Sequence, residues 1–158
     1  MPYSPEQYTH SLLAHRLALI EAVQNLSEDQ GNFTAWEGGM SVKNLIDHLS
    51  QTNTMMLASA RKEPRVRLEP SPTLQDAVNR YQQLTEQTTA FLSQTTPEQL
   101  SKTVEAFPNV HLPLFQVMDM LREHDIHHKG QVWTMLRLMG IKPPMFVKMP
   151  GMAKAPKG

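Results

Sequence analysis

The sequence predicts an all-α fold, a four-helix bundle with long connections. Four segments carry apolar residues at intervals of three and four, the spacing that places side chains on one face of a helix. Stretches rich in proline, glycine and polar residues separate these segments. The segments lack the alternation of apolar and polar residues that is typical of strands. Amphipathic helices bury their apolar faces against one another, which favours a bundle. The connections exceed tight turns, so one or two crossover connections are expected.

The first helix is expected to begin after Ser4, with Pro5 at its first position and Gln7 completing a capping box. Its apolar stripe consists of Tyr8, Leu12, Leu13, Leu17, Leu19, Ile20, Val23 and Leu26. Residues 27–40 contain three glycines and are expected to form a loop. In that loop we expect Phe33 and Trp36 to pack over the end of the core.

Ser41 is expected to cap the second helix, which ends before Pro64. Thr73 opens the third helix, and residues 95–113 are expected to form a loop. The fourth helix is predicted from about Pro113 to Met139, with Gly140 as a left-handed cap. Its inward-facing row is Leu114, Val117, Leu121, His124, His128, Gln131, Met135 and Leu138.

Composition excludes several classes of protein. The chain has 158 residues, which we divide into a bundle at 1–144 and a C-terminal tail at 145–158 that contains proline, lysine and methionine. Fifteen basic and fifteen acidic residues cancel, so no nucleic-acid partner is expected. No apolar run is long enough to span a membrane and none resembles a signal peptide, which predicts a cytoplasmic protein.

Three of the seven histidines lie within residues 124–128. His124 and His128 are one helical turn apart and interrupt an otherwise apolar row, so each needs a binding partner. A metal ion would supply one, and a hydrogen-bonded polar patch is the alternative. His48, on the edge of the second helix's apolar face, is the best third ligand. Three imidazoles with open positions are typical of a catalytic metal, with zinc or nickel favoured over iron, manganese or copper.

Other polar residues near these histidines have weaker arguments. His127 is expected beside the site or at the surface, since it lies about 60° from the His124 face. His15 is a weaker candidate ligand. Gln131 and Asp47 are candidates to orient a ligand or substrate, although a solvent-facing charge is the preferred interpretation of Asp47.

The segments Met40–Leu49, His124–Gln131 and Leu136–Pro144, together with Trp36, resemble the DinB-like superfamily of DNA-damage-inducible and YfiT-related proteins. The resemblance covers roughly residues 5 to 144. It implies a four-helix bundle whose metal is held by one histidine of the second helix and two of the last. Those residues are His48, His124 and His128 here. It also implies a homodimer.

The resemblance implies a metal-dependent enzyme acting on small molecules, first a thiol-dependent S-transferase that uses mycothiol, bacillithiol or glutathione. The chain has no cysteine, so reactive sulfur would have to come from an external low-molecular-weight thiol. A metal-dependent hydrolase is the alternative reaction, because a metal ion lowers the pKa of bound water as well as that of bound thiol. A non-catalytic, stress-related metal-binding protein, its site closed by His15 or Asp125, is the remaining alternative.

Overall fold

The computed structural model describes residues 3–149, which form six helices and one β-hairpin. In chain order these elements are α1 (Pro5–Val23), α2 (Glu28–Gly31), α3 (Val42–Arg61), α4 (Leu74–Ser93), α5 (Pro97–Leu100), β1 (Thr103–Phe107), β2 (Val110–Pro113) and α6 (Leu114–Leu138). The four long helices α1, α3, α4 and α6 form the four-helix bundle that the sequence predicts.

Side-chain caps begin three of the long helices where the sequence predicts them. The side chain of Ser4 accepts a hydrogen bond from Gln7 and starts α1. Ser41 and Thr73 do the same for α3 and α4. After the last helix, Gly140 has a φ of 76°, the left-handed conformation that the sequence predicts there.

Two of the three connections cross the bundle diagonally. Helix α1 borders α4 and α6, and α3 borders the same two helices, so α1 and α3 occupy opposite corners. The connections from α1 to α3 and from α4 to α6 therefore span the diagonals. These are the long connections that contain α2 and, in the second case, α5 and the hairpin.

The expectation of an irregular loop at 95–113 was wrong. Thr96 caps the short helix α5, and β1 and β2 then pair antiparallel with a register shift between Glu105 and Phe107. Val104 and Ala106 alternate toward the core, where their side chains are buried against the bundle. The strands contain only four or five residues, which is too short for alternation to be recognised in the sequence.

The core consists of two apolar clusters with polar side chains between them. One cluster contains Leu45, Ile46 and Leu49 of α3 with Val132 and Leu136 of α6. The other is built on α6 residues 114–121 together with α5, β1 and the far end of α3. This agrees with the predicted row on α6, apolar at both ends and polar in the middle, except that the row ends at Met135. Leu138 is 60% exposed, and Leu17 of the α1 stripe is 40% exposed.

Residues 141–149 return along the outside of α1 and α6. The backbone N–H of Lys148 donates to the carbonyl of Ala14 at 2.8 Å, and the indole N–H of Trp133 donates to that of Pro144 at 3.2 Å. Residues 150–158, most of the predicted tail, lie outside the described residues. The division of the chain at 144 therefore stays a prediction.

Across residues 3–149, no helix combines the length and apolar character that crossing a bilayer would require.

Candidate metal centre

Helices α3 and α6 bring His48, His124 and His128 together in the polar layer between the two apolar clusters of the core. The Nε2 atoms of His48 and His124 are 3.0 Å apart. The ring centres lie 4.8 Å apart for His48 and His124, 4.7 Å for His48 and His128, and 4.5 Å for His124 and His128. The two histidines of α6 are one turn apart and so share one face of the helix, the face that meets α3. The three residues predicted as ligands thus form a single half-buried cluster.

The cluster has dimensions that suit one small cation. One nitrogen from each imidazole can be chosen so that all three lie within 4.8 Å of one another. A tetrahedral zinc ion binds nitrogen at about 2.0–2.1 Å, which places its ligand atoms about 3.4 Å apart. A contraction of less than 2 Å at the widest pair would therefore close the cluster around an ion. The donor set and the spacing both fit a metal.

Burial keeps the imidazoles in the form that binds a metal. Desolvation and the neighbouring His128 and His48 lower the pKa of His124 to about 4. Desolvation, then His128, also lowers the pKa of His48 from its usual value. Both rings are therefore neutral at pH 7, with lone pairs available.

Gln131 orients one of the three rings. Its Oε1 accepts a hydrogen bond from Nδ1 of His128 at 2.7 Å. Because an amide oxygen only accepts, Nδ1 carries a proton, and Nε2 is the nitrogen of this ring that could bind a metal. Nδ1 of His124 is buried and has no hydrogen-bond partner within residues 3–149. Thr52, one turn beyond His48 on α3, places its hydroxyl 3.4 Å from Nε2 of His124, a contact that the sequence did not predict.

His127 and His15 lie outside the cluster. His127 is exposed, and its ring centre is 4.7 Å from that of His128. His15 instead accepts a hydrogen bond from Lys129 Nζ at 2.7 Å. Lys129 is buried on α6 and also donates to the carbonyl of Phe146, so this lysine ties the C-terminal segment to the bundle.

Asp125 is engaged in a buried ion pair through one carboxylate oxygen, while its Oδ1 has no hydrogen-bond partner within residues 3–149. Its Oδ2 accepts from Nε of Arg16 at 2.7 Å, and both side chains are almost completely buried. A second nitrogen of Arg16 donates to the hydroxyl of Thr85 at 3.3 Å. These bonds join α1, α4 and α6 beside the histidines. Arg16 was not predicted to be buried, although it lies one turn after Leu12 and one turn before Ile20 on the apolar stripe of α1, a position that indicates burial.

Asp47 is not an ordinary solvent-facing charge, so that preferred interpretation was wrong. Its carboxylate accepts from the backbone N–H and the hydroxyl of Ser71, at 2.8 and 2.5 Å. Arg80 lies 3.5 Å from the same carboxylate. Asp47 therefore anchors the extended connection between α3 and α4 next to His48.

A cavity of about 250 Å³ opens beside the cluster. Among the residues that line it are Trp36, Met40, Leu45, Met135, His128 and Gln131. Trp36 was expected to pack over the core, but it is 62% exposed and forms an outer wall of this cavity. A Cβ at Gly39 would lie 2.8 Å from the indole, so glycine there lets the ring fold back onto its own loop.

A larger cavity of about 680 Å³ lies at the opposite end of α3, against the hairpin. Lys62, Glu63, Arg65 and Glu105 are among its lining residues, and none of the three clustered histidines is. Its mixture of charges and its wide opening give no convergent group for chemistry. The smaller cavity is therefore the one associated with the candidate metal centre.

Known proteins are similar to this chain in sequence or in fold. YjoA of Bacillus subtilis is 27% identical over 139 residues, which cover 85% of this chain and 90% of YjoA. In a structural comparison its crystal structure gives a TM-score of 0.73 at 24% identity, over 90% of this chain and 98% of that chain.

Two further solved structures have a similar fold. A DinB-like protein of Bacillus cereus matches with a TM-score of 0.77 at 16% identity, over 97% of this chain and 100% of that chain. YfiT of Bacillus subtilis, described as a probable metal-dependent hydrolase with an unusual four-helix bundle topology, matches with a TM-score of 0.68 at 18% identity. That match covers 87% of this chain and 89% of YfiT. The sequence profile of the DinB family matches residues 1–154, and the chain belongs to this family.

Proposed function

We propose that this protein is a mononuclear metal-dependent enzyme acting on small molecules, with His48, His124 and His128 as the metal ligands. The observation that carries the proposal is the convergence of three imidazoles beside a cavity. Three protein ligands leave at least one position of a tetrahedral ion for a small molecule, as catalytic sites require. Zinc or nickel suits an all-imidazole ligand set.

The residues of the chain would prepare the site in three ways. Gln131 holds the ring of His128 with Nε2 directed away from its hydrogen bond. The Arg16–Asp125 pair fixes α1 against α6 at the level of the ligands. The cavity beside His128 would receive the small-molecule substrate and exclude water from the part of the substrate that it encloses. A bound metal ion would contribute Lewis acidity, which lowers the pKa of a thiol or of water at the open position.

Thiol-dependent S-transfer is the reaction we propose first. It accords with the resemblance of the motifs and with a chain that has no cysteine, in which the nucleophilic sulfur must be external. Metal-dependent hydrolysis is the second candidate, and it is supported by the description of YfiT as a probable metal-dependent hydrolase. The two reactions would use the same three ligands and differ in the nucleophile that occupies the open position.

The test is to assay the purified protein, loaded separately with zinc and nickel, with each nucleophile. Glutathione, bacillithiol and mycothiol are supplied with 1-chloro-2,4-dinitrobenzene, and 4-nitrophenyl acetate is supplied without thiol. Turnover that needs a thiol, disappears on chelation and returns with metal would support S-transfer. Turnover of the ester alone with the same metal dependence would support hydrolysis instead.

The His48→Ala variant separates both reactions from a non-catalytic role. Activity that survives this substitution would contradict the proposed site. A protein that binds metal and is stabilised by it, yet turns over none of a broad set of electrophiles and esters, would favour a stress-related metal-binding protein.

We also propose a cytoplasmic homodimer without a nucleic-acid partner, as the resemblance and the neutral charge suggest. Light scattering coupled to size-exclusion chromatography tests the dimer. Elution at the mass of a single chain of 18.0 kDa would contradict it.

A further inference from the structure

We propose that the cavity beside His128 binds the apolar body of a neutral small molecule and turns its single polar group toward the histidines. The identification of that molecule as a ligand of the metal centre rests on the proposed function. The walls, the volume and the position of the cavity support ligand binding independently of that function.

The walls of the cavity are largely apolar. Leu45 comes from α3, Met135 from α6, and Trp36 and Met40 from the loop before α3. Burial of apolar surface stabilises a complex by about 25 cal/mol per Å², so hydrocarbon is the ligand that these side chains favour. Methionine and the indole also adapt to ligands of somewhat different shape.

Few polar side chains line the cavity, and two of them, His128 and Gln131, lie beside the metal-ligand cluster. Of the residues that line the cavity, none is an aspartate, glutamate, lysine or arginine in the described part of the chain. A charged ligand would lose its hydration there without gaining an ion pair. His128 and Gln131, which are bonded to each other, lie in the same wall and border the metal-ligand cluster. A ligand's hydroxyl or thiol would therefore be directed to this side.

The volume limits the size of the ligand. At about 30 Å³ per non-hydrogen atom, the share of a water molecule in the liquid, about 250 Å³ holds on the order of eight such atoms. This is slightly below the usual range of about 300–1,000 Å³ for ligand sites. The ligand class is thus a monofunctional alcohol or thiol with a body of about six carbons, aliphatic or aromatic.

The loop that supplies the outer wall is held in a defined shape. Thr34 and Ser41 form an antiparallel bridge, and Gly39 donates its N–H to the carbonyl of Trp36 at 3.1 Å. Gly38 has a φ of 76°, which permits the reversal between them. The exposed indole is therefore positioned at the cavity before any ligand arrives.

The experiment is calorimetric titration of the zinc-loaded protein with 1-hexanol, 1-pentanol and 1,6-hexanediol. We expect removal of one methylene to weaken binding about fourfold, as burial of each CH₂ predicts. The diol carries the same hydroxyl anchor and places a second hydroxyl in the apolar end, so we expect at least tenfold weaker binding. Equal affinities for the three compounds would overturn the proposal.

Met40→Asp and Met145→Asp form a matched pair of variants. Both methionines are exposed, 46% and 61%, and only Met40 lines the cavity. We expect Met40→Asp to weaken 1-hexanol binding at least tenfold, Met40→Leu to keep it within threefold, and Met145→Asp to leave it unchanged. Equal effects of the two aspartate variants would overturn the assignment of the site.

Zinc content measured in the same samples separates this inference from the proposed function. One zinc per chain without 1-hexanol binding would refute the cavity and leave the metal-dependent enzyme intact. Binding of 1-hexanol that is sensitive to Met40→Asp, in a protein that retains no metal, would support the cavity and contradict the proposed function.

Discussion

His48 and His124 place their Nε2 atoms 3.0 Å apart, although 76 positions separate them in the sequence. Both rings are neutral near pH 7, because burial lowers their pKa values. Two bare lone pairs repel at this distance, so either one nitrogen carries a proton or a cation lies between them. The ring of His128, whose Nδ1 donates to Gln131, lies beside both. A cation shared by the three rings would remove this repulsion.

Substituting Gln131 with leucine should weaken metal binding about 10- to 100-fold, the usual effect of removing a partner that orients a ligand. His128 would lose the acceptor that fixes its tautomer. Gln116 on the same helix is exposed and serves as the control as Gln116→Leu. Competition with a chromogenic chelator measures both affinities. Equal metal affinities of the two variants would show that Gln131 does not orient the ring of His128.

The metal-free protein should lose stability as the pH falls from about 6.5 to about 4. In this window the unfolded chain binds a proton at His124, whose pKa is then near 6.5, while the folded protein with a pKa of about 4 does not. The folded state therefore binds fewer protons, and its free energy of unfolding decreases toward acid. Urea unfolding at pH 7 and pH 4.5 measures the difference.

His124→Gln should reduce this pH dependence, because it removes one group that titrates only after unfolding. His10 is exposed on α1, and His10→Gln should leave the dependence unchanged. A pH dependence of equal size in both variants would contradict the origin assigned to it.

Asp125→Asn should destabilise the protein by about 3–5 kcal/mol, because it leaves the buried guanidinium of Arg16 without its counter-charge. The double variant Arg16→Met/Asp125→Leu should recover most of that loss, since it removes both charges. Glu21→Gln breaks an exposed pair with Lys148 and should cost less than about 1 kcal/mol. Urea unfolding checks all three. A double variant as unstable as the single one would contradict the argument from an unpaired charge.

Replacing Gly38 and Gly130 with alanine should change the free energy of unfolding in opposite directions. A Cβ at either position meets nothing within 4 Å, so the backbone conformation determines the effect on stability. Gly38 has a φ of 76°, where alanine costs about 1–2 kcal/mol. Gly130 lies inside α6, where alanine should stabilise by about 1 kcal/mol. Thermal unfolding at fixed metal content gives both values, and a stabilising Gly38→Ala would be the contrary result.

Local patterns were sufficient to predict the four long helices and the positions of the three histidines. Helical spacing and side-chain caps act over a few residues, so the starts at Ser4, Ser41 and Thr73 could be recognised. The pair His124 and His128 was recognisable for the same reason. His48 could be added only as a candidate, since nothing local indicates which face of α3 meets α6.

Features that depend on packing between distant segments could not be predicted. The hairpin has strands of four and five residues and is stabilised by contact with α3 and α6. The Arg16–Asp125 pair joins residues 109 positions apart, and each alone was compatible with an exposed charge. Trp36 was placed on the core by its hydrophobicity, whereas Gly39 allows the indole to lie outside, beside the cavity.

The central claim is that His48, His124 and His128 hold one metal ion. The most direct test is elemental analysis of protein purified without chelators from cells supplied with metal, compared with His124→Ala and with His127→Ala. We expect about one zinc or nickel per chain in the unsubstituted protein and almost none in His124→Ala. His127→Ala should also keep about one, because His127 is exposed beside the site. Equal metal content in all three proteins, or none in the unsubstituted one, would contradict it.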